Sequence, residues 1–461
     1  MGFFNLSDIK EIVIIGCGAG GGTAAQFARK TDRKSNITIF EKGKYPQYSK
    51  CGLPYVLSEK ISDPINLKEF DEEWFKKAKI ELYLETIVEK IDIDKKILFA
   101  KKDNKTIEKS FDKLIISTGA NPFLPPIKNI KSKGVFTVRT IDNIKEIKAY
   151  INNKKNITIV GAGLIGLEIA DNLHKKRFNI CIVEAMSSIL ENNLDPDMAR
   201  TVFEKIPNNI DVKTDYLAKD IISKNGKVEQ IKIENKKTGK EEIIDSDAVI
   251  IATGIRPETS LAKQIGCKIG ETGGIIVNNK SETNIRDVYA IGDCTEYKNY
   301  ISNKDCLVGL GSIVVRQAIA AGVNAAGGQY ILPKGLLNTN TSEFFGVEIA
   351  GVGLISKNID KEQAYAQARF NGSSLPEYFP GGKPISVKIL VDEKNKKILG
   401  AQAVGENAAQ RINTFACAIL GEMNIDTIRK LETAYAPPIA PTLDVVTLVC
   451  DMADLKISRK R

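Results

Sequence analysis

Histidine is almost missing from this sequence: one, His174, stands among 461 residues. Its neighbours Lys175, Lys176 and Arg177 read as a solvated helix C-terminus. Without a second histidine there is no HExxH zinc site, and a Ser-His-Asp hydrolase is disfavoured. The eight cysteines form no CxxC pair and no closely spaced zinc set, so no metal is expected and the thiols suit a reducing compartment. No apolar run approaches the roughly eighteen residues of a membrane span, and the opening MGFFNLSDIK lacks a basic, then apolar, leader. The cytoplasm is the expected address, with no membrane partner, and the chemistry is expected to need a cofactor.

At about 150 residues per domain the length suggests about three domains. A content of 43% apolar and 27% charged residues is that of a folded globular protein. The net charge of +9 comes from lysines scattered along the chain, with no zinc finger, aromatic RNP stretch or basic-region helix, so no nucleic-acid partner is expected. An anionic small ligand accounts for the excess as well.

An internal repeat organises the chain. Residues 11–22 read EIVIIGCGAGGG, an apolar strand running into Gly16, Gly18 and Gly21, then a helical stretch and a second strand, NITIF, closed by Glu41. In such a unit the glycines allow a tight turn, close approach of a diphosphate and close helix packing, and the acid accepts ribose hydroxyls. Residues 157–168 repeat the pattern as ITIVGAGLIGLE, with Gly161, Gly163 and Gly166, and Glu184 closes the next strand. One glycine fingerprint is weak, but two in matching contexts predict two bound dinucleotides. Two further strands end in glycine turns, LIISTGA with Thr118 and Gly119, and VIIATGI with Gly254. A third, DVYAIGDC, ends in Gly292 and Asp293, a carboxylate placed to hold a polyol, and a small-residue helical stretch follows. Beyond about residue 331 the pattern alternates at strand period and then turns helical, predicting an antiparallel sheet with helices.

The order of fingerprint, acid, lone Cys51, TG, fingerprint, acid, TG, GD and sheet domain resembles the FAD-dependent pyridine nucleotide-disulfide oxidoreductases. The segment YSKCGLPYV around Cys51 and the late AYAPP resemble the single-cysteine branch, which includes coenzyme A disulfide reductases, NAD(P)H oxidases and polysulfide reductases. The resemblance implies an α/β fold: two Rossmann-like dinucleotide-binding domains, the NAD domain inserted in the FAD domain, plus a C-terminal α+β dimerisation domain. The expected divisions are 1–125 and 260–331 for FAD, 126–259 for NAD(P)H and 332–461 for a homodimer interface. Ala19 and Gly20 complete the FAD turn, and Glu168 is expected to contact the nicotinamide carboxamide.

Glutathione-reductase-type members carry CxxxxC, but Pro46 and Val56 stand where a local partner of Cys51 would be. Cys51 must therefore cycle through a mixed disulfide, a persulfide or a sulfenic acid. Gly52 and the nearby Pro54 suit entry to a helix whose dipole would favour a thiolate. Cys450 is the one other cysteine considered as a resolving thiol, supplied from the partner subunit. Peroxidases and many oxidases of the branch carry a histidine where Ala19 stands, so the turn resembles coenzyme A disulfide reductase. Arg29, Lys30 and Arg33 stand either as contacts to coenzyme A phosphates or as an exposed basic helix face. The resemblance also implies that Tyr378 and Tyr435 reach across a dimer to the other subunit's cysteine, and Leu164 replaces a tyrosine common at the nicotinamide site. The expected activity passes electrons from NADH (NADPH being possible) through FAD to Cys51 and on to coenzyme A disulfide or a related sulfur acceptor. The alternatives are an NAD(P)H oxidase, a polysulfide or persulfide reductase, and, from another class, an electron-transfer reductase for a small iron-sulfur protein.

Overall fold

A computed structural model describes residues 10–460. The first nine residues, read above for a leader, lie outside the described residues.

The first apolar run forms the strand Glu11–Ile15 at the centre of a five-stranded parallel sheet in the order Val288–Ala290, Lys113–Ile116, Glu11–Ile15, Asn36–Phe40, Ile80–Tyr83. Its side chains alternate between two covered faces. Ile12 and Ile14 pack with Ala24, Ala25 and Ala28 of the helix Ala19–Thr31, whereas Val13 and Ile15 join Leu98 and Val314 on the other side. A strand buried on both faces needs a continuous apolar run, which EIVII supplies. The small-residue stretch folds as the helix Gly311–Ala325 and lies against Ala19–Thr31, so closely that a Cβ on Gly322 would sit 2.3 Å from the Ala24 carbonyl oxygen.

The second fingerprint repeats this construction in a five-stranded parallel sheet ordered Ile210–Thr214, Asn179–Glu184, Asn156–Val160, Ala248–Ile251, Val135–Thr137. In each sheet the fingerprint strand lies between its acid strand and its TG strand. The repetition reaches single bonds: Gly16 N donates to Phe40 O at 2.7 Å and Gly161 N to Val183 O at 2.8 Å. Both crossings between the two sheets run through one antiparallel ladder, Ala120–Pro122 with Ile255–Pro257.

The third sheet is antiparallel, in the order Asn340–Phe344, Val347–Gly353, Ile398–Gly405, Pro384–Asp392, Tyr365–Ser373, and the helices Ala408–Leu420 and Val445–Ser458 pack against it. The fold is thus the α/β architecture expected, with two dinucleotide folds and a C-terminal α+β unit. Ion pairs tie that unit to the N-terminus of the helix Pro196–Phe203: Lys388 Nζ lies 3.0 Å from the buried Asp195 and 2.7 Å from the more exposed Asp197. No helix among the described residues is long and apolar enough to cross a membrane.

Candidate functional site

The two glycine turns are closed behind and open in front. A Cβ on Gly21 would lie 1.8 Å from the Gly16 carbonyl oxygen, and one on Gly166 would lie 2.0 Å from that of Gly161. Gly16 and Gly161 also hold φ of +95° and +109°, which L side chains rarely adopt. By contrast, nothing stands within 4 Å of a Cβ placed on Gly18 or Gly163. These two glycines cap the helices Ala19–Thr31 and Leu164–His174 without any side-chain bond to the first-turn N–H groups, and neither first turn carries an acid. Open space in front of unpaired N–H groups at a helix N-terminus suits a dinucleotide diphosphate, so both turns fit FAD and NAD(P)H.

The acids are fixed identically. Glu41 accepts from Cys17 N at 2.6 Å and Gly43 N at 2.7 Å, and Glu184 accepts from Ala162 N at 2.6 Å and Met186 N at 2.8 Å. Each carboxylate is oriented by two backbone donors and keeps lone pairs for ribose hydroxyls. At the TG turns, Gly119 and Gly254 take positive φ, and Thr118 Oγ1 donates to Glu258 O at 2.6 Å. Gly292 N donates to Gln317 Oε1 at 2.8 Å, which presents Asp293 to the guanidinium of Arg139, 2.9 Å away.

One continuous cleft of about 1550 Å³ joins these parts. Gly16, Gly18, Ala19, Gly20, Glu41, Thr118, Gly119, Gly161, Gly163, Leu164, Glu168, Glu184, Gly254, Gly292 and Asp293 line it, and so does Cys51. Gly21 and Gly166 pack behind the turns.

Cys51 lies in a single turn, Lys50–Gly52, leading into the short helix Leu53–Leu57. A Cβ on Gly52 would meet a methyl of Leu67 at 2.2 Å, so a larger residue there would have to displace that side chain. Just beyond, Ser58 Oγ donates to Asn172 Oδ1 at 2.5 Å, docking this segment on the second fingerprint helix. Cys51 is exposed to the cleft, yet its surroundings push the thiol upward. Burial is the largest cause, the charges of Glu168 and Asp293 add to it, and Arg139 opposes them. The backbone hydrogen bond that favours the thiolate is the smallest of the causes, so the net shift is opposite to the lowering expected of a helix N-terminus. Lys50 is pushed down to about 8, first by burial and then by the neighbouring charge of Arg139.

No other cysteine lines the cleft. Cys450 is fully buried in the third-domain core, and burial pushes its thiol up to about 12, which corrects its reading as a resolving thiol. Burial likewise raises Cys181 to about 12 and Cys294 and Cys306 to about 11. His174 is half-buried, with Nδ1 unpartnered, rather than fully solvated.

Arg29, Lys30 and Arg33 do not line the cleft. The Arg29 guanidinium donates to the carbonyls of Asp32, Arg33, Ser35, Ala78 and Lys79, so it ties the helix end to the chain around residue 78 and is largely occupied within its own chain. Arg33 is exposed, and Lys30 stands 4.6 Å over the ring of Phe27, a cleft residue. Tyr378 and Tyr435 also lie outside the cleft of their own chain. They are 71% and 47% exposed, and their hydroxyls share a hydrogen bond of 2.7 Å.

Three site residues escaped the sequence reading: Arg139; Gln47, a cleft residue 3% exposed whose Oε1 has no partner; and Ser342, which donates to Glu168. Arg139 follows the strand Val135–Thr137, and a cation at a domain crossing was the available signal.

A family model described as pyridine nucleotide-disulphide oxidoreductase matches residues 10–322, and one for the dimerisation domain of such proteins matches residues 339–446. An NADH oxidase of Methanocaldococcus jannaschii is 36% identical over 464 residues, covering 97% of this chain and 99% of the relative. An NAD(P)H coenzyme A polysulfide/persulfide reductase of Pyrococcus horikoshii is 31% identical over 444 residues, covering 94% and 96%. The solved structure of an NAD-dependent persulfide reductase from A. fulgidus superposes with a TM-score of 0.93 at 32% identity, over 97% of this chain and 84% of that one.

Proposed function

Because the chain belongs to the pyridine nucleotide-disulphide oxidoreductases, which use FAD and NAD(P)H, we propose that this enzyme reduces a sulfur–sulfur bond attached to coenzyme A, with coenzyme A disulfide as its preferred acceptor. The observation that carries this reading is a lone thiol, Cys51, open to a cleft that both glycine cradles share and that no second cysteine enters. A thiol without a protein partner must take its sulfur partner from the substrate.

When bound, FAD supplies the two-electron relay between nicotinamide and sulfur that no side chain here provides. Cys51 itself acts as nucleophile. Its thiolate attacks one sulfur of the disulfide, the substrate S–S bond breaks, a Cys51–coenzyme A disulfide forms, and the second coenzyme A leaves as a thiolate that takes up a proton. A coenzyme A persulfide or polysulfide is attacked in the same way. The cleft end beside the first helix suits the nucleotide of coenzyme A: Phe27 offers an apolar face and Lys50 positive charge.

A second copy of the chain supplies the remaining groups. Tyr378, Tyr435, Ile439 and Leu443 form an exposed, mainly apolar stretch of the third domain, which a homodimer would cover. In that arrangement the two phenols stand at the partner's cleft, where one can protonate the departing thiolate. The free thiols suit a cytoplasmic setting.

The NADH oxidase relative favours a second reading, with oxygen as acceptor. Steady-state oxidation of NADH with coenzyme A disulfide, polysulfide or oxygen separates the two. The proposal expects the sulfur substrates to be preferred by kcat/KM, and a clear preference for oxygen would overturn it.

Cofactor choice gives a further expected result. Glu184 places a carboxylate where NADPH would carry its 2'-phosphate. The nearby ammonium groups are engaged, Lys236 with Ala185 O at 2.8 Å and Lys237 with Asp215 at 2.6 Å. Juxtaposed like charges cost on the order of several kcal/mol, so kcat/KM should favour NADH by about tenfold or more. Equal or better use of NADPH would remove this role from Glu184.

A further inference from the structure

The Glu168 carboxylate is half-buried at the cleft wall and has no ion-pair partner among the described residues. Its side-chain hydrogen bond comes from another domain: Ser342 Oγ donates to Oε1 at 2.5 Å. The strand Asn340–Phe344 explains how the hydroxyl arrives there. Strand alternation puts Ser342 and Phe344 on one face, with Thr341 and Glu343 exposed on the other. Phe344 is fully buried in the same core cluster as Leu167, the residue before Glu168. Packing of Phe344 against the second fingerprint helix therefore carries Ser342 to the carboxylate.

The redox thiol of Cys51 is also within reach of this carboxylate. Its segment is docked on the same helix through Ser58 and Asn172, and the charge of Glu168 acts on its thiol. We propose that Ser342 is a positioning residue: the third domain holds the Glu168 carboxylate at the junction of the nicotinamide site and the redox thiol. The inference rests on the reading that Glu168 faces the nicotinamide.

The consequence for pH has a definite sign. Burial lifts the Glu168 carboxyl above its ordinary value, and the Ser342 bond, which favours the charged form, opposes that rise. The other groups acting here are Asp293, which also pushes Cys51 up, and Arg139, which pulls it down. The Tyr55 phenol nearby is raised first by burial, then by Glu168, Glu343, Asp171 and Cys51. Without the hydroxyl, Glu168 either protonates at higher pH or turns away. In both cases the repulsion that adds to burial in disfavouring the Cys51 thiolate weakens, and the thiolate forms at lower pH.

The test compares Ser342→Thr, which keeps a hydroxyl, with the near-isosteric Ser342→Val, which loses it, and with Glu168→Gln, all as holoenzymes. Two quantities are read: the NADH concentration for half-maximal flavin reduction, and the pH dependence of Cys51 alkylation by iodoacetamide, followed by peptide mass. In Ser342→Val the half-saturating NADH concentration should rise about tenfold with little change in limiting rate, as expected for a lost hydrogen bond to a charged group. Its alkylation midpoint should move to lower pH, and Glu168→Gln should move both quantities at least as far. Ser342→Thr should behave as wild type. If Ser342→Val matches wild type while Glu168→Gln departs from it, the positioning role is wrong and the reading of Glu168 stands. If Glu168→Gln also matches wild type, that reading fails and the inference falls with it.

Discussion

Replacing Cys51 with serine should leave a yellow, FAD-bound protein that NADH still bleaches, while its reduction of coenzyme A disulfide falls by about three orders of magnitude or more. Serine fills nearly the same volume in the turn Lys50–Gly52, so neither the packing of Leu67 against Gly52 nor the docking of Ser58 on Asn172 is disturbed. What disappears is the thiolate. A hydroxyl stays protonated at neutral pH and forms no bond that can be exchanged with sulfur. Both glycine cradles lie on separate turns and keep their geometry, so nucleotide binding should survive. Oxygen consumption can persist in the variant, and it measures how much electron flow bypasses the thiol. Near wild-type reduction of coenzyme A disulfide would show that Cys51 is not the nucleophile.

The second large effect is expected from Tyr435→Phe, which should slow the sulfur half-reaction by about ten- to a hundredfold and leave flavin reduction by NADH nearly unchanged. Within one chain Tyr435 lines no cleft, and its hydroxyl reaches only Tyr378, 2.7 Å away. It matters for chemistry only if a partner subunit carries it to Cys51. There the phenol would bond the departing thiolate, and losing a charge-assisted bond costs on the order of 1.5 to 3 kcal/mol. A tyrosine needed for packing behaves otherwise: its loss lowers the unfolding temperature and spares the rate. Stopped-flow measurement of both half-reactions, with thermal unfolding of the same samples, separates these outcomes. Unchanged reoxidation by coenzyme A disulfide would take Tyr435 out of the site.

The parts of the site legible in the sequence are those in which function and local geometry coincide. Gly16, Gly21, Gly161 and Gly166 stand out because the backbone itself must turn or approach closely, and Glu41 and Glu184 because each ends the next strand of its unit. The continuous apolar runs EIVII and NITIV revealed parallel strands buried on both faces for a similarly local reason. Residues that act across the fold left no such trace. Arg139 meets Asp293 from 154 positions away and Ser342 meets Glu168 from 174, so the meaning of each depends on how the domains pack. The thiol of Cys51 is misread from sequence because the Gly-Leu-Pro helix start is visible there, whereas the burial and the charges of Glu168 and Asp293 that raise it are not. Arg29 looked available to a phosphate because the five carbonyls that occupy it lie partly on a distant loop.

The most direct test of Cys51 as the exchanging thiol is the mass of the Cys51 peptide after the enzyme is mixed with coenzyme A disulfide in the absence of NADH. One coenzyme A should be attached per chain, at Cys51 and not at the exposed Cys417, and addition of NADH should release it. An unmodified Cys51 peptide, or an adduct at Cys51 that NADH does not remove, would contradict the account.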